Sequence, residues 1–233
     1  MIRRLLPAEI AVVEGPFADP AEPLAPEEAA AIARAVPARY REFSAGRAFA
    51  RAALARLGAP PGPLPVGANR APIWPSGFVG SITHAAGYAA VAIGRTSALL
   101  AVGIDIEDSG RFNSALVERI FSPAELSRHL PTASPRELRR VGAATFSAKE
   151  AVYKALSTLG EVRLAFADCT IALDEDAGSF SVKLPAGRSV PEFDGVMAGR
   201  FAWVGDLVGT AVTIGLDRRG VRGSRPITPA GLH

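Results

Sequence analysis

Four charged side chains stand at spacings suited to phosphate chemistry. Asp105 and Glu107 lie two apart in Val102-Gly103-Ile104-Asp105-Ile106-Glu107. On a strand, residues two apart share a face, so both carboxylates project together while Ile104 and Ile106 enter a core. Carboxylates side by side repel, and they need a cation, a basic partner or bulk water. Glu150 and Lys154 are four apart in Phe146–Leu156. On a helix that spacing puts them one turn apart on one face, as a surface ion pair or as parts of a site. Glu150 beside the strand pair would complete an all-oxygen donor set. Such hard ligands suit Mg²⁺, which keeps waters and bridges to substrate phosphates. Lys154 would then meet phosphate as a point charge. Gly80-Ser81-Ile82-Thr83-His84 adds a histidine beside a turn, one of only three in the chain.

Lysine use separates two of these positions from the background. Lys149, Lys154 and Lys183 are the only lysines among 26 basic residues. A lysine kept where arginine is the rule suggests a place for a compact ammonium rather than a guanidinium fork.

The elements that must position these groups follow from pattern and punctuation. A strand is expected near residues 9–14. Ala25-Pro26-Glu27-Glu28 starts a short helix with proline and acids at its N-terminal end. A strong helix spans residues 38–57 and stops at Gly58. Residues 80–83, 88–93 and 98–107 read as strands. Helices follow near 114–119 and 123–129, and a longer one over 134–159 opens on the capping sequence Ser134-Pro135-Arg136-Glu137. Residues 165–216 read as strands, with turns at 174–178 and 186–187.

The two halves echo each other. Residues 43–52, FSAGRAFARA, align without gaps to 146–155, FSAKEAVYKA, with six positions identical or a Lys/Arg exchange. Later in each half, residues 89–94 resemble 210–215. A helix and then a strand recur in the same order, at a spacing too long for a solenoid. The expected fold is α+β: two similar α/β halves related by a pseudo-twofold, with the active site in the cleft between them. The divisions expected are residues 1–110, residues 111–217 and a basic tail, 218–233. Arg47 and Glu150 align, and both should face the cleft.

Together these segments resemble the 4′-phosphopantetheinyl transferases of the two-half, surfactin-type group, nearest the enterobactin synthetase component D branch. The residues that carry the resemblance are 103–107 (GIDIE), 146–155 (FSAKEAVYKA), 70–77 (RAPIWPSG) running into 80–84 (GSITH), and 41–47 (REFSAGR). The resemblance implies transfer of the phosphopantetheine arm of coenzyme A to a serine of an apo acyl, peptidyl or aryl carrier protein, releasing adenosine 3′,5′-bisphosphate. It implies that Asp105, Glu107 and Glu150 hold Mg²⁺ and that Glu150 can deprotonate the serine. It places Lys154 on the pyrophosphate, and Thr83 and His84 on coenzyme A phosphates. Arg39, Arg47 and Arg70 fall around its 3′-phosphate and adenine, with Asp105 also among the coenzyme A contacts. It further implies a monomer serving siderophore or other secondary-metabolite synthesis. Ala68 and Asn69 depart from the family, which often has an acid and a base there, and Thr83 stands where serine is common. A non-catalytic coenzyme A or nucleotide-binding protein, or a Mg²⁺-dependent phosphohydrolase, would use part of the same set.

Composition excludes other classes. Of the 233 residues 48% are hydrophobic and 21% charged, which rules out global disorder. No apolar run reaches the roughly 18 residues a membrane span needs, and no secretory leader is evident. Cys169 is the only cysteine, so an internal disulfide framework and a cysteine-rich zinc site are both out, and a reducing cytoplasm fits. The net charge is +3, but it becomes −1 once Arg218, Arg219, Arg222 and Arg225 of the tail are set aside. Basicity is therefore a tail property, and no nucleic-acid partner is expected.

Overall fold

The apolar and alternating strand segments make two antiparallel sheets, each with one long helix laid on it. The computed structural model describes residues 1–17, 23–67, 70–129, 133–160, 169–184 and 196–215. The expected turn at 186–187, the departures at Ala68 and Asn69, and the basic tail lie outside the described residues.

The first sheet contains β1 (Ala11–Pro16), β2 (Phe78–Ala85) and β3 (Tyr88–Arg95), in the order β1-β3-β2. β2 and β3 join through Ala86 and Gly87, both at positive φ, 48° and 78°. That is the backbone a two-residue hairpin requires. α1 (Pro26–Ala31) precedes α2 (Pro37–Arg56), which packs on β3 and β1. Trp74 shapes the loop before β2: a Cβ on Gly80 would lie 2.8 Å from its ring.

The second sheet runs β4 (Leu99–Asp108), β8 (Leu207–Gly215), β7 (Val196–Val204), β6 (Ser179–Lys183) and β5 (Thr170–Asp174) in spatial order. α3 (Ser114–Ile120) and α4 (Pro123–His129) lead to α5 (Pro135–Ser157), which lies across β4 and β8. α5 starts with the expected capping box: the Ser134 hydroxyl accepts from Glu137 N, and the Glu137 carboxylate accepts from Ser134 N. β4 precedes the expected division at 110, yet its ladder runs along β8, from Leu99 opposite Gly215 to Asp108 opposite Leu207. Its edge abuts β2, so the two sheets meet along it.

The fold is α+β with two similar halves, and the repetition reaches a detail that the sequence pattern did not single out. α1 and α4 each begin with proline and carry a buried glutamate two residues on, Glu28 and Glu125. Glu28 accepts from Ala25 N at 2.9 Å and Leu64 N at 2.9 Å, and pairs with Arg51 at 3.1 Å. Glu125 accepts from Ser122 N at 2.6 Å and Ile171 N at 2.6 Å, and pairs with Lys149 at 2.7 Å. Each carboxylate caps its own helix, ties down a later segment and holds a base from the long helix. The Pro-x-Glu spacing shared by the two short helices was the available signal.

Candidate active site at the seam between the sheets

β4 presents opposite chemistries on its two faces, as its alternation requires. Val102, Ile104 and Ile106 enter one core with Ile2, Leu5 and Ala211. Ala101 belongs to the other core, with Ala148, Ala151 and Ala155 of α5. The odd-numbered face thus lies under α5. A Cβ on Gly103 would sit 1.8 Å from Ala151 O and 2.8 Å from Ala155 N. Only glycine lets the helix backbone come this close, and the approach brings Glu150 and Lys154 over Asp105 and Glu107.

Asp105 is only 4% exposed. Its Oδ1 accepts from Lys154 Nζ at 2.7 Å and from Thr83 Oγ1 at 3.0 Å. Its Oδ2 is buried with no hydrogen-bond partner among the described residues. Lys154 also donates to Ile104 O at 3.2 Å. Lys154 therefore bridges to the strand rather than forming a one-turn pair with Glu150. Glu107 lies 3.4 Å from the exposed Arg111. Burial, with the Asp105 carboxylate beside it, pushes the Glu107 carboxyl up to about 7, although Arg111 and Lys154 pull the other way. Burial also raises the Glu150 carboxyl, with Lys154 opposing and Asp105 adding to the rise.

On the β2 side, Arg39 Nη1 donates to His84 Nε2 at 2.7 Å, and His84 Nδ1 lies 3.6 Å from Glu42. An arginine only donates, so Nε2 is an acceptor and the imidazole is neutral. Burial, which lowers the His84 pKa, favours the same form. Arg47 is buried: its guanidinium lies 4.2 Å over the Phe43 ring and its Nε 4.0 Å from Glu28. Burial lowers its pKa to about 10. Arg47 thus turns toward α1, away from the carboxylates near Glu150, although the two residues align in the repeat. Arg70 stands exposed, at φ 63°, two residues before Pro72, which bridges Val66. Among the described residues it makes no ion pair.

The structure thus brings Thr83, Asp105, Glu107, Glu150 and Lys154 into one cluster, with Arg39 and His84 paired at its edge. The Thr83 hydroxyl, expected on a coenzyme A phosphate, is buried and donates to Asp105 instead. Lys149, set apart with Lys154 by lysine scarcity, is a buried support: it donates to Ile120 O at 2.9 Å as well as to Glu125. Glu42 is the residue near the site that sequence reasoning missed. It lies one helical turn after Arg39, at 3.3 Å, a spacing visible in the sequence.

Two family models match in succession: the 4′-phosphopantetheinyl transferase N-terminal domain over residues 27–94, and the 4′-phosphopantetheinyl transferase superfamily over 101–193. The 4′-phosphopantetheinyl transferase Svp of Streptomyces mobaraensis is 40% identical over 224 residues, 92% of this chain and 89% of that one. PptT of Mycobacterium tuberculosis is 42% identical over 154 residues, 65% of this chain and 66% of that one. Enterobactin synthase component D of Salmonella typhi is 39% identical over 123 residues, 51% of this chain and 49% of that one. The chain belongs to the 4′-phosphopantetheinyl transferase superfamily, and it is a phosphopantetheinyl transferase.

Proposed function

We propose that the chain transfers the phosphopantetheine arm of coenzyme A to a serine of an apo carrier protein, with Mg²⁺ at Asp105, Glu107 and Glu150. The observation that carries this reading is the unpartnered, buried Oδ2 of Asp105 among three coupled carboxylates. A buried carboxylate oxygen without a donor is costly, and a cation is its natural complement. Among the described residues no three such side chains close into a ready-made metal cage. Mg²⁺ does not need one closed in advance, since it keeps several waters and takes substrate phosphate oxygens beside its carboxylates. When bound, it would neutralise the pyrophosphate and the charge gathering on the leaving bisphosphate.

This chain's own residues supply the rest. Arg39, His84, Arg47 and Arg70 are our candidates for the nucleotide end of coenzyme A. Of these, the pair Arg39–His84 stands nearest the carboxylates, since Lys154 and Asp105 both act on the His84 imidazole. Glu150, its carboxyl raised by burial, accepts the proton of the carrier serine directly or through a water. The serine oxygen then forms its bond to the phosphopantetheine phosphorus. The bond from that phosphorus to the bridging oxygen breaks, and adenosine 3′,5′-bisphosphate departs with the electron pair. Lys154, held against Asp105 at 2.7 Å, meets the developing charge from beside the carboxylates, so catalysis is positioning plus neutralisation. The reading includes a cytoplasmic monomer, and its carriers belong to siderophore or other secondary-metabolite synthesis. No described helix is long and apolar enough to cross a membrane.

The test is to incubate the protein with coenzyme A, Mg²⁺ and an apo carrier and to weigh the carrier. A gain of one phosphopantetheine, abolished by chelation, is expected. Binding of coenzyme A or release of phosphate with the carrier mass unchanged would overturn the reading.

Lys154 supplies a sharper prediction within it. A guanidinium is broader than an ammonium and cannot fit the 2.7 Å contact to Asp105 together with the Ile104 carbonyl. Lys154→Arg is expected to lower kcat about tenfold or more at saturating coenzyme A, with Lys154→Ala lower still. Lys183→Arg, at the exposed end residue of β6, should match wild type. Wild-type turnover in Lys154→Arg would remove the lysine from the mechanism.

A further inference from the structure

We propose that Thr83 is a positioning residue for the metal centre: its hydroxyl and the Lys154 ammonium hold Oδ1 of Asp105, so that Oδ2 is left for the divalent cation. The inference rests on the metal reading above and adds a residue to it from the opposite sheet.

A threonine hydroxyl has one proton to give. That of Thr83 goes to Asp105 Oδ1 at 3.0 Å, while the oxygen accepts from Ile106 N at 3.1 Å. The residue is buried and its hydroxyl is committed on both counts. It has no second proton for a coenzyme A phosphate, the role that the family resemblance suggested. Two donors on Oδ1 fix the carboxylate plane, because Thr83 reaches it from β2 and Lys154 from α5. The other oxygen is then both buried and unpartnered. Among the described residues Glu107, Glu150, Lys154 and His84 act on the same cluster, with Arg111 beside Glu107, and the two acids raise the need for a cation.

The contact also couples the halves. β2 and β4 share no backbone ladder. They are joined through side chains: Ser81 Oγ accepts from Ile104 N at 3.1 Å, and Thr83 Oγ1 accepts from Ile106 N. The β4 amides on either side of Asp105 are thus satisfied by hydroxyls of β2. His84, the next residue of β2, faces the nucleotide in our reading. The strand that places a coenzyme A contact therefore also sets the orientation of the first metal carboxylate.

The experiment titrates Mn²⁺ into the full-length protein without coenzyme A and reads bound metal by electron paramagnetic resonance. The variants are Thr83→Val, Thr83→Ser and Asp105→Asn, and KM for coenzyme A is measured in parallel at saturating Mg²⁺. Thr83→Val should bind Mn²⁺ about tenfold or more weakly, the usual scale for losing a group that orients a ligand. Thr83→Ser, which keeps the hydroxyl, should bind as wild type does. KM for coenzyme A should stay unchanged in both. If Thr83→Val melts too low to titrate, Thr83→Cys, a weak donor of similar size, should bind Mn²⁺ less well than Thr83→Ser. Wild-type Mn²⁺ binding in Thr83→Val (or in Thr83→Cys where that variant stands in) with a raised coenzyme A KM would overturn the proposal and make Thr83 a substrate contact. Equal losses in the valine and serine variants would also overturn it, since packing rather than the hydroxyl would then matter. If Asp105→Asn binds Mn²⁺ normally, the metal assignment itself fails and the proposal falls with it. A loss in Asp105→Asn with none in Thr83→Val or its stand-in would sink the Thr83 role alone.

Discussion

Glu107→Gln is expected to be nearly inactive and yet more stable than wild type in metal-free buffer at pH 8. The activity loss follows from removing a proposed cation ligand. Losing several kcal/mol of transition-state stabilisation corresponds to roughly a thousandfold or more in rate. The stability gain follows from the raised carboxyl. Its ordinary value is 4.5, and in the folded chain it stands at about 7, pushed up first by burial and then by Asp105. The folded state therefore binds the proton more tightly than the unfolded chain. Below pH 4.5 both states are protonated and no penalty exists. As pH rises from there to 7, stability falls, and above 7 the whole penalty is present. Glutamine carries no charge and escapes it, giving up only the pairing with exposed Arg111. We expect a gain of about 2 kcal/mol at pH 8, or a melting temperature higher by roughly 4–8 °C, shrinking toward pH 4.5. Adding Mg²⁺ should stabilise wild type and not the variant. A wild-type melt whose difference from Glu107→Gln is the same at pH 5 and pH 8 would refute the strain at this carboxylate.

Gly103→Ala should have the largest effect on the fold itself. The added methyl would lie 1.8 Å from Ala151 O and 2.9 Å from Ala151 C. Both are helix backbone, so no rotamer change relieves the overlap. α5 would have to lift from β4, breaking the packing of Ala148, Ala151 and Ala155 on the second sheet. Ordinary overpacking costs about 1–3 kcal/mol, and a backbone clash of this depth should exceed about 4 kcal/mol. In a chain of this size that lowers the melting temperature by roughly 10 °C or more. Any folded fraction should also lose transfer activity, because Glu150 and Lys154 ride on the displaced helix. Gly15, whose Cβ would meet nothing within 4 Å, is the control, and Gly15→Ala should melt near wild type. A Gly103→Ala protein with wild-type melting would show that the helix-to-strand approach is looser than described.

Local periodicity by itself determined a good deal of this. Alternation around Asp105 put both strand carboxylates on one face, and the four-residue step put Glu150 and Lys154 on another. The echo between residues 43–52 and 146–155 announced two similar halves, and the capping sequence at Ser134 marked the start of the long helix. These are relations within a segment, set by backbone geometry alone. What met what was decided only by tertiary structure. Lys154 went to Asp105, 49 residues away, rather than to Glu150 one turn back. The Thr83 hydroxyl turned inward to the same carboxylate, and Arg47 turned to Glu28 although its repeat partner Glu150 stayed with the acids. Lys149 looked like a site lysine and became the buried partner of Glu125. A repeat period fixes a side chain's direction about its own helix or strand, not which neighbour is packed there. That neighbour depends on how closely two backbones approach, and here the absent side chain of Gly103 sets the distance.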